Sequence, residues 1–340
     1  MTRSETHPSH LRAERTRSIE PRVTRLTLTP AEAREVDELA RTVVREYADL
    51  ESHACLTDLR MIAHDLPLRL RREVNRARLD DRLHVLVISG NPVNDQELGD
   101  TPAHWRDVNT PEARVAGAVL LLEAALLGDA IGWTTQQEGR VLTDVLPIQG
   151  MEDSMVSSSS HAALAWHTED SFSPYRSDYV GLFCLRSPFD APTTVSTVDL
   201  TALPESVVRV LMEPRFLFTP DHSHGTHSGA PDVVRAAVLE GSLEAPVLRI
   251  DRDFTAAVPG DTEAERALEH IVAQLDNNLY DLHLGQGDIG FIDNRNVVHG
   301  RRPFRARYDG RDRWLRRVNI AVDLRRTRPG RAAADIRTIG

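Results

Sequence analysis

The chain has 340 residues, 41% of them hydrophobic, which is enough to bury a full core in one large domain or two small ones. A formal net charge of −10 argues against nucleic acid as a partner, because a phosphate backbone is held by a positive field. No apolar run has the length of a bilayer crossing and the first residues are too charged for a secretory signal. Cys55 and Cys184 are too few for a disulfide framework, so a reducing cytoplasm and no membrane are expected. All 41 basic residues are arginine, a compositional bias and not a functional signal.

In chain order, residues 1–28 are polar and arginine-rich, without periodicity, and are expected as an N-terminal arm or short leading strand. Thr29-Pro30 followed by Glu32 reads as a helix start, with Val36, Leu39, Ala40, Val43 and Val44 at helical spacing behind it. A second helix is expected over Leu56–Val74. The unbroken run Leu83–Ser89 is a buried strand, and Pro111 opens an Ala/Leu-rich helix through Leu127. From Ile131 the pattern changes to short strands, at Arg140–Ile148, Tyr179–Leu185 and Thr193–Asp199. Glu263–Leu282 is expected as a long helical insert, with strands following at Asp288–Asp293 and Leu315–Asp323.

His167-Thr168-Glu169, answered 132 residues downstream by His299 in the strand-like run Gly290–Gly300, carries the chemistry. Residues two apart on a strand project to the same side. Two imidazoles and one carboxylate cap one face of an octahedral metal and leave the opposite positions open, which is how non-haem Fe(II) oxygenases hold a co-substrate and O2 together. His-x-Glu alone is a weak motif. Arg313 and Arg317, fourteen and eighteen residues past His299, strengthen it. A guanidinium on the next strand can fork two N–H donors onto a carboxylate such as the far end of 2-oxoglutarate. No GxSxG, Walker or GxGxxG motif supports a hydrolase, NTPase or dinucleotide enzyme. Helices first, short strands later and ligands on separate strands point to an α+β chain with a double-stranded β-helix (jelly-roll) core and flanking helices. The expected organisation is a single domain over residues 29–330, helical to about 130, with the jelly roll at about 131–325 and the insert at about 263–282.

The stretches 167–186 (HTEDSFSPYRSDYVGLFCLR) and 293–318 (DNRNVVHGRRPFRARYDGRDRWLRRV) resemble the clavaminate synthase-like Fe(II)/2-oxoglutarate oxygenases, most closely the β-hydroxylases of free arginine, asparagine and lysine. The resemblance spans roughly residues 110–325. It implies His167, Glu169 and His299 as iron ligands, Arg313 as the 2-oxoglutarate anchor and a hydroxyl from Thr193 beside it. It also implies Arg317 for the substrate carboxylate and Gln136 or Gln137 for its amine, with Ser157 and the non-ligating oxygen of Glu169 as further candidates. Asp221, in Thr219-Pro-Asp-His-Ser-His-Gly225, is the candidate for a guanidinium or ammonium. Arginine hydroxylases of this group tend to present a second acid nearby, whereas Ser223 stands here. His222, His224 and His227 suit a polar lid better than a second metal site. Asp170 stays open between substrate contact and orienting the strand end, and Trp166 reads as core.

The expectation is therefore hydroxylation of a free L-amino acid with Fe(II), 2-oxoglutarate and O2, at Cβ of L-arginine or a close relative, in natural-product biosynthesis. Asparagine, glutamine, lysine, citrulline or a carrier-bound residue are alternatives within the class. Outside it stand a non-catalytic jelly-roll binding module and a zinc hydrolase, which would have no need of Arg313.

Overall fold

The structure is a computed structural model that describes residues 19–154, 156–187, 191–224 and 233–340. Its largest sheet runs Val23–Thr27, Val85–Ser89, Ile289–Asp293, Tyr179–Arg186, Trp314–Ala321, Asp129–Trp133, Thr338–Ile339, with Leu142–Val145 also on Trp314–Ala321. A second sheet orders Tyr280–Leu282, Thr193–Ser196, Val298–Arg301, Leu164–His167. Strand alternation sorts the side chains of the large sheet. Phe183, Leu185, Phe291 and Val318 face the helices, in one core with Leu120, Leu121 and Leu122 of the helix Pro111–Ala125. Val180, Leu182, Cys184 and Leu315 face the second sheet and meet Val195 and Leu282. Burial on both faces explains why Val85–Ile88 is apolar without a break. The outer face of the second sheet, with Trp166 and Val298, is covered by the helix Thr262–Asn277 and the strand Phe216–Phe218. The chain thus mixes helices and sheets in layers. No helix among the described residues is long and apolar enough to cross a membrane.

Local chemistry explains the boundaries, including three that differ from expectation. Thr29 and Glu32 form a reciprocal capping box that starts Pro30–Glu46. The helix expected over Leu56–Val74 is broken in two, His53–Ile62 and Leu68–Arg78, because Pro67 cannot continue it. The insert helix stops at Asn277, and Tyr280–Leu282, assigned to it from sequence, is a strand paired with Thr193–Val195. Gly290–Gly300 is two strands in different sheets, Ile289–Asp293 and Val298–Arg301, joined by a turn. Within the expected arm, Val23–Thr27 is a strand parallel to Val85–Ser89, while residues 1–18 lie outside the described ones.

That leading strand depends on a neutral histidine. Nδ1 of His84 accepts the backbone N–H of Arg22 at 2.7 Å. Burial, then the nearby Arg22 charge, pushes the imidazole down to about 4 from 6.5. A histidine depressed in the folded state contributes stability that is complete above the unfolded pKa and is lost as pH falls toward the folded one. The thermal midpoint is therefore expected to drop between pH 6.5 and 4 by less in His84→Asn than in the wild type, as followed by circular dichroism. An equal drop in both proteins would refute the assignment.

Candidate metal centre

The site lies between the two sheets. Trp166 and Val298 point outward into the helix-side core, so their neighbours His167 and His299 point inward, on the same face as Val195. The two histidines are direct register partners on adjacent antiparallel strands, with ring centroids 4.6 Å apart. The strands come this close because Gly300 has no side chain: a Cβ there would lie 2.5 Å from the Leu164 carbonyl oxygen. On the facing strand, Leu315 points into the same interlayer core. Alternation then places Arg313 and Arg317 on its inner side and Arg316 on the helix side, where it bonds the Ala113 carbonyl.

Glu169 follows the end of its strand, and its position is set by Asn294. The Asn294 side chain accepts the Glu169 N–H at 2.7 Å and donates to the Glu169 and Ser177 carbonyls at 3.1 and 2.9 Å. The carboxylate then has Oε2 at 3.5 Å from His167 Nε2 and 3.3 Å from His299 Nε2, while Oε1 accepts from Arg317 at 2.6 Å. One ligand atom from each of His167, Glu169 and His299 lies within 4.8 Å of the others, the one such group among the described residues. Oε2 is buried and without a hydrogen-bond donor. A buried carboxylate oxygen aimed at two imidazoles needs a cation, and the donor set of two nitrogens and one oxygen suits Fe(II). Electrostatics agree. Burial alone would raise the Glu169 pKa, yet Arg317 and the imidazoles outweigh it and hold it well below the usual range. Burial likewise opposes a charged His167, but the Glu169 carboxylate lifts it to about 10, while burial lowers His299.

Other expected site residues fall into two groups. Arg313 donates to the Thr193 hydroxyl at 3.2 Å, and both line a small cavity of about 30 Å³ with Leu284 and Leu315. Arg317 also donates to Gln136 Oε1 at 3.0 Å and to the Thr143 hydroxyl at 3.1 Å. Gln136 reaches on to the Ser223 hydroxyl at 2.9 Å, joining the metal side to the segment carrying Asp221. Gln137 is not part of this network: at φ +41° its amide closes a turn on the Asp144 backbone, with bonds of 2.9 and 3.0 Å. Ser157 is not joined to it either among the described residues; it is half-buried on the loop ahead of Ser158–Ser160. The non-ligating oxygen of Glu169, considered for the substrate amine, is already held by Arg317 and would be shared. Trp166 is core, donating to Asp276 at 2.7 Å.

Asp170 and His224 form a buried pair that composition alone does not reveal. Asp170, at φ +54°, accepts from Trp133 Nε1 at 2.6 Å and lies 3.0 Å from His224 Nε2, while His224 Nδ1 meets the Thr135 hydroxyl at 2.7 Å. His224 thereby pins the Asp221 segment beside the ligand Glu169. His222 stacks edge-on against Phe254, and His227 lies outside the described residues. Sequence reading also missed Asp251, which forms a backbone bridge with His167. Burial raises its pKa, His167 opposes this, and the charge of Asp221 adds to it. A lone Asp in Arg-Ile-Asp-Arg carries no motif by which it could have been found.

Residues 219–319 match the family model described as taurine catabolism dioxygenase TauD, TfdA family. Enduracididine beta-hydroxylase of Streptomyces hygroscopicus is 41% identical over 328 residues, covering 89% of this chain and 96% of the relative. L-ornithine/L-arginine 3-hydroxylase of Catenulispora acidiphila is 38% identical, covering 93% and 99%. The non-heme iron oxygenase OrfP, solved in complex with Fe, succinate and (3S)-hydroxy-L-Arg, superposes with a TM-score of 0.87 at 38% identity, covering 93% of this chain and 99% of that one. The chain belongs to this TauD/TfdA family of dioxygenases. It is a non-haem iron, 2-oxoglutarate-dependent enzyme of the amino-acid hydroxylase group.

Removing the Asn294 amide keeps all three ligand side chains and frees the Glu169 backbone. Loss of such a supporting contact typically costs 10–100-fold in metal affinity. Asn294→Ala is expected to bind Mn(II), by calorimetry, at least about ten-fold more weakly than wild type. Unchanged affinity would show that Asn294 does not position the ligand.

Proposed function

We propose that this enzyme hydroxylates Cβ of free L-arginine, or of a close guanidino relative, in natural-product biosynthesis in the cytoplasm. We also read the two facing sheets as the double-stranded β-helix expected from sequence, with the metal between them. The observation that carries the substrate assignment is that Asp251 is bridged to His167 and Asp221 is joined through Ser223 and Gln136 to Arg317, while neither carboxylate has an arginine partner among the described residues. Relatives that act on arginine, ornithine or enduracididine, together with the OrfP complexes with L-Arg and L-canavanine, support the same chemistry.

The chain's residues divide the work. His167, Glu169 and His299 would hold the iron, and Arg313 with Thr193 the far carboxylate of 2-oxoglutarate. Bound iron with 2-oxoglutarate and O2 supplies the oxidant, yielding succinate and CO2 as one oxygen enters the substrate C–H bond. Arg317 has five N–H donors, of which three go to Glu169, Thr143 and Gln136. The remaining two, one on each terminal nitrogen, form a fork for the α-carboxylate of an amino acid. Gln136 Oε1 and Glu169 Oε1 offer second lone pairs to the α-ammonium. With the α-carbon fixed at Arg317 and the guanidinium at Asp221 and Asp251, the middle of the side chain is stretched across the metal site. Only C–H bonds near Cβ are then presented, so positioning sets the regiochemistry.

The test is mass spectrometry of purified enzyme with Fe(II), ascorbate, 2-oxoglutarate and a panel of free amino acids. A gain of one oxygen on L-arginine with stoichiometric succinate is expected. Oxidation of asparagine in preference to arginine would keep the iron chemistry and discard the guanidinium assignment. Asp221→Asn removes one half-buried counter-charge and is expected to lower kcat/KM for arginine by about 30-fold or more. 2-Oxoglutarate affinity should stay within about three-fold, a difference of ~0.7 kcal/mol.

A further inference from the structure

Arg301 belongs to none of the roles above. It ends the strand that carries His299 and pairs in register with Thr193, the residue that accepts from Arg313. The two arginine-bearing positions therefore meet at one threonine, and both side chains are buried, at 3% and 6% exposure. Among the described residues neither has an ion-pair partner. Among the described residues Arg313 donates to the Thr193 hydroxyl. Arg301 donates to the carbonyls of Ser160, Arg302 and Ala162 at 3.3, 3.1 and 3.0 Å and to the Ser159 hydroxyl at 2.8 Å, and it packs over Phe304. Its Nε is left without an acceptor.

Neutral acceptors satisfy N–H groups and leave the charge uncancelled. A buried, unpaired guanidinium is costly, and a second one nearby makes it costlier. A neutral side chain could have clamped the loop Ser159–Ala162 without that penalty. Arg313 lines the small cavity and Arg301 stands behind it at the register partner of Thr193, so the buried positive charge here is instead what the far carboxylate of a dicarboxylate would offset.

We propose that Arg301 is a second, through-space cation for the dicarboxylate co-substrate, adding affinity for its far carboxylate without touching it. The inference rests on the assignment of Arg313 and Thr193 to 2-oxoglutarate. Its role is separable from loop positioning, because charge and hydrogen-bond geometry are removed by different substitutions. Arg301→Gln removes the charge. Arg301→Lys keeps it but cannot span four acceptors.

The test is calorimetric binding of 2-oxoglutarate, and separately of L-arginine, to Mn(II)-loaded wild type, R301Q and R301K, with folding followed by circular dichroism. R301Q is expected to weaken 2-oxoglutarate binding about ten-fold, ~1.4 kcal/mol, and R301K to stay within about three-fold of wild type. L-Arginine affinity should change by less than about three-fold in both. Unchanged 2-oxoglutarate affinity in R301Q overturns the proposal. So does a loss in R301K as large as in R301Q, or a loss falling mainly on L-arginine, since either makes Arg301 a loop clamp. If R301Q does not fold, R301K alone decides by the same criterion. A wild type that binds no 2-oxoglutarate fails the underlying site assignment, an outcome visible before any variant is compared.

Discussion

One carboxylate organises this site. Glu169 is buried, and its two oxygens are committed in opposite directions: Oε1 to Arg317, Oε2 toward the imidazoles of His167 and His299. A buried carboxylate with one bare oxygen is unstable unless a cation joins it. Arg317 offsets only part of the negative charge and cannot reach the histidine side. The remaining demand is what a metal would meet, held by the two imidazoles and that oxygen. Since Arg317 also forks toward the proposed substrate carboxylate, metal and substrate compete for the same electron density. Binding at one end therefore alters the electrostatics of the other through a single side chain.

The layered fold keeps that arrangement rigid. His167 and His299 are fixed as cross-strand partners, and the close approach at Gly300 leaves no slack between their strands. Arg313, Leu315 and Arg317 descend from one facing strand at two-residue steps, so the anchors proposed for co-substrate and substrate are set about 13 Å apart by strand rise alone. The ligand not held within a strand is Glu169, and it is the one gripped through its backbone by Asn294. Where secondary structure ends, a buried side-chain network takes over its positioning role.

The legible parts of the sequence were those that depend on local pattern. Thr29 and Glu32 announce a capping box, and Val85–Ile88 announces a strand buried on both faces. His-x-Glu, His299 and the two spaced arginines outline the metal side because their offsets follow strand geometry. Long-range pairing was not legible. Nothing local shows that Tyr280–Leu282 leaves a helix to join Thr193–Val195, or that Asp251 arrives beside His167. Gln136 and Gln137 illustrate the limit most sharply. Adjacent and chemically identical, they are separated in function by the positive φ of Gln137, which turns its amide onto Asp144.

Charge distribution also argues for what occupies the substrate end under the proposed function. Asp170 is engaged by His224, Trp133 and Asn319, and Glu169 by Arg317 and the metal side. Asp221 caps the Ser223 N–H and Asp251 the N–H groups of Asp253 and Phe254, bonds that neutralise neither carboxylate. Among the described residues no arginine pairs with either. A neutral amide side chain would leave both carboxylates without a counter-charge. A guanidinium would cancel both at once, and its planar fork matches two carboxylates better than the point charge of an ammonium does. Under that reading the serine that stands two residues after Asp221 is no argument against a cationic substrate, because Asp251 would supply the second acid.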